Sequence, residues 1–175
     1  MALHLIIDGY NLIRQSPELL RYEKQDLEKG RAMLLRSLIA YQRIKHHAIT
    51  VVFDGWAEGD IFERRSREGG IEIIFSRRGE KADEVIKRLA AQKKGEITVV
   101  TSDRDLGYSC ALEGCTIISS PEFLNKMALV QYSNQKGELN EKEDNQLYVK
   151  STKKKGPSKR APKSARHHQS VLKKL

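Results

Sequence analysis

The sequence predicts an α/β fold, a three-layer sandwich in which helices cover both faces of a five-stranded parallel sheet. Short runs rich in β-branched residues, typical of strands buried on both faces, alternate along the chain with longer stretches whose apolar residues have helical spacing. A helix is the usual connection between parallel strands, and such crossovers are right-handed. The predicted strands are residues 3–7, 49–53, 71–75, 97–101 and 116–118.

Helix signals fill the intervals between these strands. Ser16-Pro17 has the form of an N-cap followed by proline at the first helical position. Helical spacing then continues over about residues 25–45. It is followed by His46-His47, a pair that the helix dipole explains at least as well as metal binding does. The remaining helices are predicted over residues 82–90, 104–112 and 120–130.

The charge of the chain is divided unevenly. Ten of its 32 Lys and Arg residues lie from Lys150 onward, where there is no Asp or Glu, although the whole chain has a net charge of only +9. Basic arms of this kind bind nucleic acid by neutralising phosphates, and the alternative is a tail that only confers solubility. The composition predicts a core domain over residues 1–132, a linker or peripheral segment over 133–149 and a disordered basic tail over 150–175.

The sequence also bears on the cellular compartment. No apolar run approaches the roughly 20 residues that a membrane-spanning helix needs, and the first residues lead into a strand without a signal-peptide pattern. The two cysteines, Cys110 and Cys115, lack the spacing of zinc ligands and are expected to be reduced. We therefore expect a cytoplasmic protein with no membrane partner, and the oligomeric state stays open.

Aspartates recur where the predicted strands end. Asp8 follows the first strand, Asp54 the second, and Asp103 and Asp105 the fourth, while Asp83 opens the helix after the third. Ligands of parallel sheets bind at the carboxyl ends of the strands, so we expect these side chains to converge on one edge. Each one also has a local explanation as a turn, cap or helix-dipole residue. Independent caps have no reason to recur at the same end of the strands, which favours a common site.

A cluster of carboxylates needs a compensating cation, and a hard divalent ion with oxygen ligands supplies one. One or two Mg²⁺ or Mn²⁺ ions here would polarise a phosphoryl oxygen and lower the pKa of water, as in metal-dependent phosphodiester cleavage. Asn11 lies close enough to Asp8 in sequence to bond a ligand or phosphate oxygen.

Competing kinds of site fit the sequence less well. It contains no P-loop, no GxGxxG motif and no Ser-His-Asp or Cys-His arrangement. A response-regulator receiver would have its phospho-accepting aspartate after the third strand, whereas Asp54 follows the second. A haloacid-dehalogenase-type phosphatase would have Asp-x-Asp after the first strand, where this chain has Tyr10.

Three motifs together resemble the YacP-like branch of the NYN domains, which are relatives of the PIN nucleases. They are Asp8-Gly9-Tyr10-Asn11, Gly79-Glu80-Lys81-Ala82-Asp83 and Thr101-Ser102-Asp103, and the resemblance covers about residues 1–129. It implies a PIN-like strand order 3-2-1-4-5, a Mg²⁺ or Mn²⁺ site and ribonuclease activity. Some YacP-like proteins are similar endoribonucleases that act on mRNA in association with the ribosome.

The resemblance also implies roles for individual residues. Asp8 and Asp83 match the principal metal ligands and Asp103 a third, and these three are the expected catalytic acids. Asp105 matches the second acid of the wider NYN pattern, and Asn11 a supporting polar group. Asp54 matches the pattern less closely.

Taken together, the sequence predicts a metal-dependent endoribonuclease that cleaves single-stranded RNA or mRNA, with the ribosome as a candidate partner. The alternative is a non-catalytic RNA-binding module that uses the same acidic edge and basic tail. Arg64, Arg65 and Arg67 lie in a polar segment predicted to be a loop, and we expect them to bind RNA phosphates together with the tail.

Overall fold

The structure, a computed structural model, describes residues 2–55, 62–92, 96–140 and 163–175. Its centre is one mixed sheet of six strands in the order β3-β4-β2-β1-β5-β6. All neighbouring strands pair in parallel except β3 and β4, which are antiparallel. The strands are β1 (His4–Asp8), β2 (Ala48–Phe53), β3 (Arg64–Glu68), β4 (Ile71–Phe75), β5 (Ile97–Val100) and β6 (Thr116–Ile118).

Seven helices lie in the described part of the chain. Ser16 caps α2 as the sequence predicts, since its Oγ accepts a hydrogen bond from the Leu19 backbone N–H at 3.3 Å. An unpredicted short helix precedes it, because Asp8 is the N-cap of α1 rather than only a turn residue. The helices are α1 (Gly9–Gln15), α2 (Pro17–Gln25), α3 (Leu27–Lys45), α4 (Ala82–Gln92), α5 (Arg104–Leu112), α6 (Ser120–Asn140) and α7 (Lys163–Lys174).

The helices form a layer on each face of the sheet. Along β1, Leu5 and Ile7 enter a larger core with α1, α2, α3, α6 and α7, whereas Ile6 enters a smaller core with α4 and α5. This alternation follows from the two-residue period of a strand. Strands buried on both faces therefore read as continuous apolar runs, which is why they could be predicted.

The prediction of a five-stranded, wholly parallel sheet is wrong in one respect. The five predicted strands follow one another across the sheet as β4-β2-β1-β5-β6, but β3 adds an antiparallel strand at the edge. Gly69 and Gly70, both with positive φ, form the turn between β3 and β4. All five residues of β3 are exposed, so the strand has no apolar alternation to reveal it, and Arg64, Arg65 and Arg67 lie on this strand rather than in a loop.

The C-terminal residues correct a second prediction. Residues 163–175 are not disordered: Val171 and Leu175 of this segment are buried in the larger core. The Tyr41 hydroxyl donates to the Leu175 carbonyl at 3.1 Å, and Lys45 Nζ donates to the Lys174 carbonyl at 3.2 Å. Residues 150–162 of the predicted tail lie outside the described residues. Helix α6 also continues to Asn140, beyond the predicted end of the core at residue 132.

Candidate active site

Four aspartates come together at the carboxyl edge of the sheet. Asp8 is the last residue of β1, Asp54 follows the neighbouring β2, Asp83 lies in the first turn of α4, and Asp103 caps α5 after β5. The negative charges of Asp83 and Asp54 act on Asp8, and those of Asp103 and Asp54 act on Asp83. The convergence predicted from the strand ends is therefore present for these four residues.

Asp8 is the most deeply buried member of the cluster, with 8% of its surface exposed. Its Oδ1 accepts from the Asn11 backbone N–H at 3.2 Å and its Oδ2 from Thr101 Oγ1 at 3.3 Å. Burial is the main reason that the pKa of Asp8 is raised to about 6; the hydrogen bonds from Asn11 and Thr101 lower the pKa, and the charges of Asp83 and Asp54 partly offset that lowering. Asp8 can therefore exchange a proton near neutral pH.

The glycines after Asp8 and Asp54 are required by close packing. A Cβ at Gly9 would lie 2.3 Å from Cε1 of Phe53, and a Cβ at Gly55 would lie 1.9 Å from the Ser76 carbonyl oxygen. Any side chain at these two positions would push α1 or β4 away from β2. From the sequence alone, both glycines read only as turn residues.

Asp83 is held in place by Asp54. Asp54 Oδ1 accepts from the Ala82 backbone N–H at 2.6 Å, so it stabilises the start of α4 from another strand. Ser76 Oγ accepts from Gly55 N at 2.8 Å and ties the loop before α4 to the end of β2. Asp83 is half-buried, and burial raises its pKa, with smaller contributions from Asp103 and Asp54. The sequence left Asp54 without a secure role, and this contact gives it one.

Asp103 and Asp105 differ in their surroundings. Asp103 Oδ1 accepts from the backbone N–H groups of Asp105 and Leu106, both at 2.9 Å, and this leaves Oδ2 free of capping. Asp105 is exposed in the first turn of α5, and its charge is not among those that act on Asp8 or Asp83. Asp103 therefore belongs to the cluster, because its charge acts on Asp83, whereas Asp105 lies outside the cluster.

Asn11 connects three segments of the fold. Its Oδ1 accepts from the Ser102 backbone N–H at 2.9 Å and from Ser120 Oγ at 2.7 Å. A carbonyl oxygen has two lone pairs, so only the side-chain NH₂ of Asn11 can serve a ligand. Sequence reasoning missed the contributions of Thr101 and Ser120. Thr101 could have been suspected from its place directly before Ser102-Asp103, whereas Ser120 resembles an ordinary helix cap.

The predicted arginines lie apart from the carboxylates. Two strands, β4 and β2, separate β3 from β1. Arg65 forms ion pairs with Glu63 at 2.7 Å and Glu72 at 3.5 Å. Arg64 faces the α3 side of the sheet, opposite Phe75 of β4, and Arg67 lies opposite Glu72. The three arginines are therefore displaced sideways from the acidic cluster, and Arg64 lies nearest the carboxyl edge of the sheet because it pairs with Phe75, the last residue of β4.

The chemistry of the acidic cluster fits a hard divalent cation. Its side-chain donors are carboxylate oxygens, and its charges repel one another. Within the described ranges, no three Asp, Glu, His or Cys side chains stand close enough to hold one ion together. Mg²⁺ usually keeps several waters and binds through one or two protein carboxylates, so one or two of Asp8, Asp83 and Asp103 are enough to bind it directly.

Comparisons with known proteins agree on one group. The family model described as the YacP-like NYN domain matches residues 5–170. A Bacillus subtilis protein named YacP is 28% identical over 130 residues, which cover 73% of this chain and 76% of the relative.

Two crystal structures of Rae1 (YacP) from Bacillus subtilis are similar to this fold, each with a TM-score of 0.67. One is of a mutant form, at 25% identity, covering 82% of this chain and 86% of the other. The second structure is 26% identical and covers 80% and 81%.

Proposed function

The chain belongs to the YacP-like NYN domain family, a nuclease-type group related to the PIN domains, and from this premise we propose that it is a metal-dependent endoribonuclease that cleaves single-stranded RNA. The observation that carries the proposal is the convergence of Asp8, Asp54, Asp83 and Asp103, which come from four different elements. Like charges held together at a strand edge are typical of functional sites, and burial raises the pKa of two of these acids, Asp8 and Asp83.

In this proposal Asp8, Asp83 and Asp103 would hold Mg²⁺ or Mn²⁺, one or two of them directly and the rest through bound water, and Asp105, which lies outside the cluster, is not assigned a ligand role. When bound, such an ion would polarise a phosphoryl oxygen and stabilise the charge on the leaving oxygen. Asp54 acts as a positioning residue, because its bond to the Ala82 N–H fixes the start of the helix that carries Asp83.

The residues of the chain orient the reacting groups. Hydrogen bonds from the Asn11 N–H and Thr101 fix the orientation of the Asp8 carboxylate. In the hydrolysis, the water oxygen forms a bond to phosphorus and loses a proton to the solvent, the bond from phosphorus to the leaving oxygen breaks, and the leaving oxygen takes up a proton. The NH₂ group of Asn11 donates to a phosphate oxygen.

RNA affinity comes in part from sites outside the acidic edge. We assign it to the basic residues of the segment from Lys150 onward and to Arg64 and Arg67, which neutralise phosphates without reading bases. Arg65 forms ion pairs with Glu63 and Glu72, so a phosphate has to compete with these two carboxylates for its guanidinium. A ribosome-bound mRNA is the second substrate form to test.

The decisive experiment incubates the full chain with end-labelled single-stranded RNA in Mg²⁺, in Mn²⁺ or in EDTA. We expect cleavage with either metal, none in EDTA, and none by Asp83→Asn, a substitution that keeps the shape of a half-buried side chain and removes its charge. Asp83→Asn should retain RNA binding. If the parental chain binds free RNA and ribosome-bound mRNA but cleaves neither, the chain is an RNA-binding module and the proposal is wrong.

A further inference from the structure

A groove of about 460 Å³ opens beside the acidic site, on the α3 face of the sheet. Helix α3 forms one wall, β3 the other and β4 the floor. One end of the groove is formed by Gly55 and Ser76, which directly follow Asp54 and β4. The groove thus begins at the carboxyl edge of the sheet, and its volume lies within the range of small-ligand sites.

A row of aromatic rings fixes a cation inside this groove. The Tyr10 ring lies edge-on to Phe53 with 5.2 Å between ring centroids, and Phe53 stacks on Phe75 at 5.5 Å. The guanidinium of Arg31 lies 5.5 Å from the centre of the Phe75 ring and donates to the Tyr10 hydroxyl at 2.8 Å. These contacts hold Arg31 in one orientation. Tyr10, which accepts its hydrogen bond, lies two residues after Asp8 in the sequence.

Arg31 retains hydrogen-bonding capacity for a ligand. A guanidinium has five N–H donors, and the Tyr10 hydroxyl takes only one of them. Among the described residues, no carboxylate forms an ion pair with Arg31. A guanidinium that is held in one orientation and has further N–H donors is suited to a phosphate or a base carbonyl.

The other side chains of the groove fit a nucleotide base. Phe62 lies at the rim with 79% of its surface exposed, so one face of its ring is open to stacking. Arg64 adds a second positive charge, while Glu28 and Glu68 line the walls. The negative charges of these two carboxylates would repel a ligand with several phosphates. The same carboxylates can accept hydrogen bonds from the N–H groups of a base.

We propose that this groove binds one unpaired nucleotide of the RNA, next to the phosphodiester that is cleaved. Phe62 stacks on the base, and Arg31 donates to its carbonyl or to its phosphate. A base inside an RNA duplex is stacked and paired and cannot enter, so the groove selects single strands. This inference rests on the proposed function, and it adds that the RNA substrate is unpaired at the nucleotide next to the cleaved bond.

The test measures the affinity of the full chain for a fluorescein-labelled single-stranded RNA and for an RNA hairpin of the same charge, in EDTA. Phe62→Ala should weaken single-strand binding about tenfold and leave hairpin binding unchanged. Arg31→Gln should have an effect of similar size, and Arg31→Lys a smaller one, because lysine retains the charge without the planar fork. Phe62→Ala removes an exposed side chain, so its effect does not depend on how well the Arg31 variants fold.

Two matched controls lie elsewhere on the surface. Arg36→Gln removes an exposed arginine of the same helix, and Tyr132→Ala an exposed aromatic residue of α6, and neither residue lines the groove. Both controls should bind as the parental chain does. The inference is wrong if Phe62→Ala leaves single-strand affinity unchanged, or if it weakens single-strand and hairpin binding equally.

Cleavage assays separate a failure of this inference from a failure of the proposed function. If the parental chain cleaves RNA and Phe62→Ala has the parental affinity and KM, the nuclease proposal stands and the groove does not bind substrate. If the parental chain does not cleave RNA but Phe62→Ala loses single-strand affinity selectively, the groove binds RNA and the nuclease proposal fails.

Discussion

The two ends of the sheet differ in the surroundings of their buried ionisable side chains. At the amino end, His47 is buried with both ring nitrogens bonded: Nδ1 accepts from the Leu3 N–H at 3.3 Å, and Nε2 lies 3.1 Å from the Lys174 carbonyl. At the carboxyl end, Asp8 is buried beside the like charges of Asp83 and Asp54. Burial lowers the pKa of His47, which keeps it neutral, whereas burial raises the pKa of Asp8 to about 6, below neutral pH.

This difference indicates that the amino end of the sheet contributes to stability, whereas the carboxyl end is arranged for function. At the amino end both ring nitrogens of the buried His47 have hydrogen-bond partners, and because one partner belongs to α7, this contact contributes to holding α7 on the domain. The carboxyl end keeps charges together that would separate in the unfolded chain, and it is therefore less stable than its packing allows. Such a cost is expected where charged groups are held ready for a ligand.

The largest expected effect tests whether the carboxyl end is the functional one. Asp8→Asn should lower the rate of RNA cleavage by at least about a hundredfold, because the site loses an anionic oxygen that would hold the metal ion. Glu113→Gln, at the other end of α5 from Asp103, removes an exposed acid outside the cluster and should cleave at the parental rate. Single-turnover rates at saturating metal measure the difference. Equal rates for Asp8→Asn and the parental chain would show that Asp8 serves only as a helix cap.

The second prediction concerns stability at the carboxyl end. The folded-state pKa of Asp8 lies above the ordinary value of 3.8, so its contribution to stability is complete below pH 4 and is lost as pH rises through about 6. Asp8→Asn removes this loss, and its free energy of unfolding at pH 7 should exceed that of the metal-free parental chain by up to about 3 kcal/mol. Urea unfolding at pH 4 and pH 7 measures the gain, which should disappear at pH 4. A gain of the same size at both pH values would contradict the explanation.

The third and smallest effect tests the amino end. Leu175→Ala should lower the free energy of unfolding by about 2 kcal/mol, because it removes a buried side chain from the larger core. Tyr41→Phe removes the hydrogen bond to the Leu175 carbonyl and should cost about 1 kcal/mol. Thermal unfolding measures both losses. Both variants should keep the parental cleavage rate below their unfolding temperatures, and a large loss of rate would show that the two ends are not independent.

The sequence predicted those features that follow from local pattern. The apolar runs identify the buried strands, and the rule that parallel strands present their carboxyl ends together brings Asp8, Asp83 and Asp103 to one edge. Contacts between distant segments leave no such pattern. The bond from Ala82 to Asp54 spans 28 residues, and that from Ser120 to Asn11 spans 109.

Two elements were missed for a related reason. Strand β3 is exposed throughout, so its residues have no buried face to show. Helix α7 lies in a strongly basic segment, and its attachment depends on few apolar side chains, among them Val171 and Leu175. Composition therefore predicted disorder for a segment that tertiary packing holds.

The attachment of α7 also changes what the basic segment can do. Residues 141–162 join the end of α6 to the start of α7, so this stretch is tethered at both ends instead of one. A tethered stretch of that length reaches at most about 40 Å from its attachment points, roughly half the distance available to the same stretch with one free end. Under the proposed function, the lysines and arginines of this stretch would therefore hold a bound RNA near the sheet rather than at a distance.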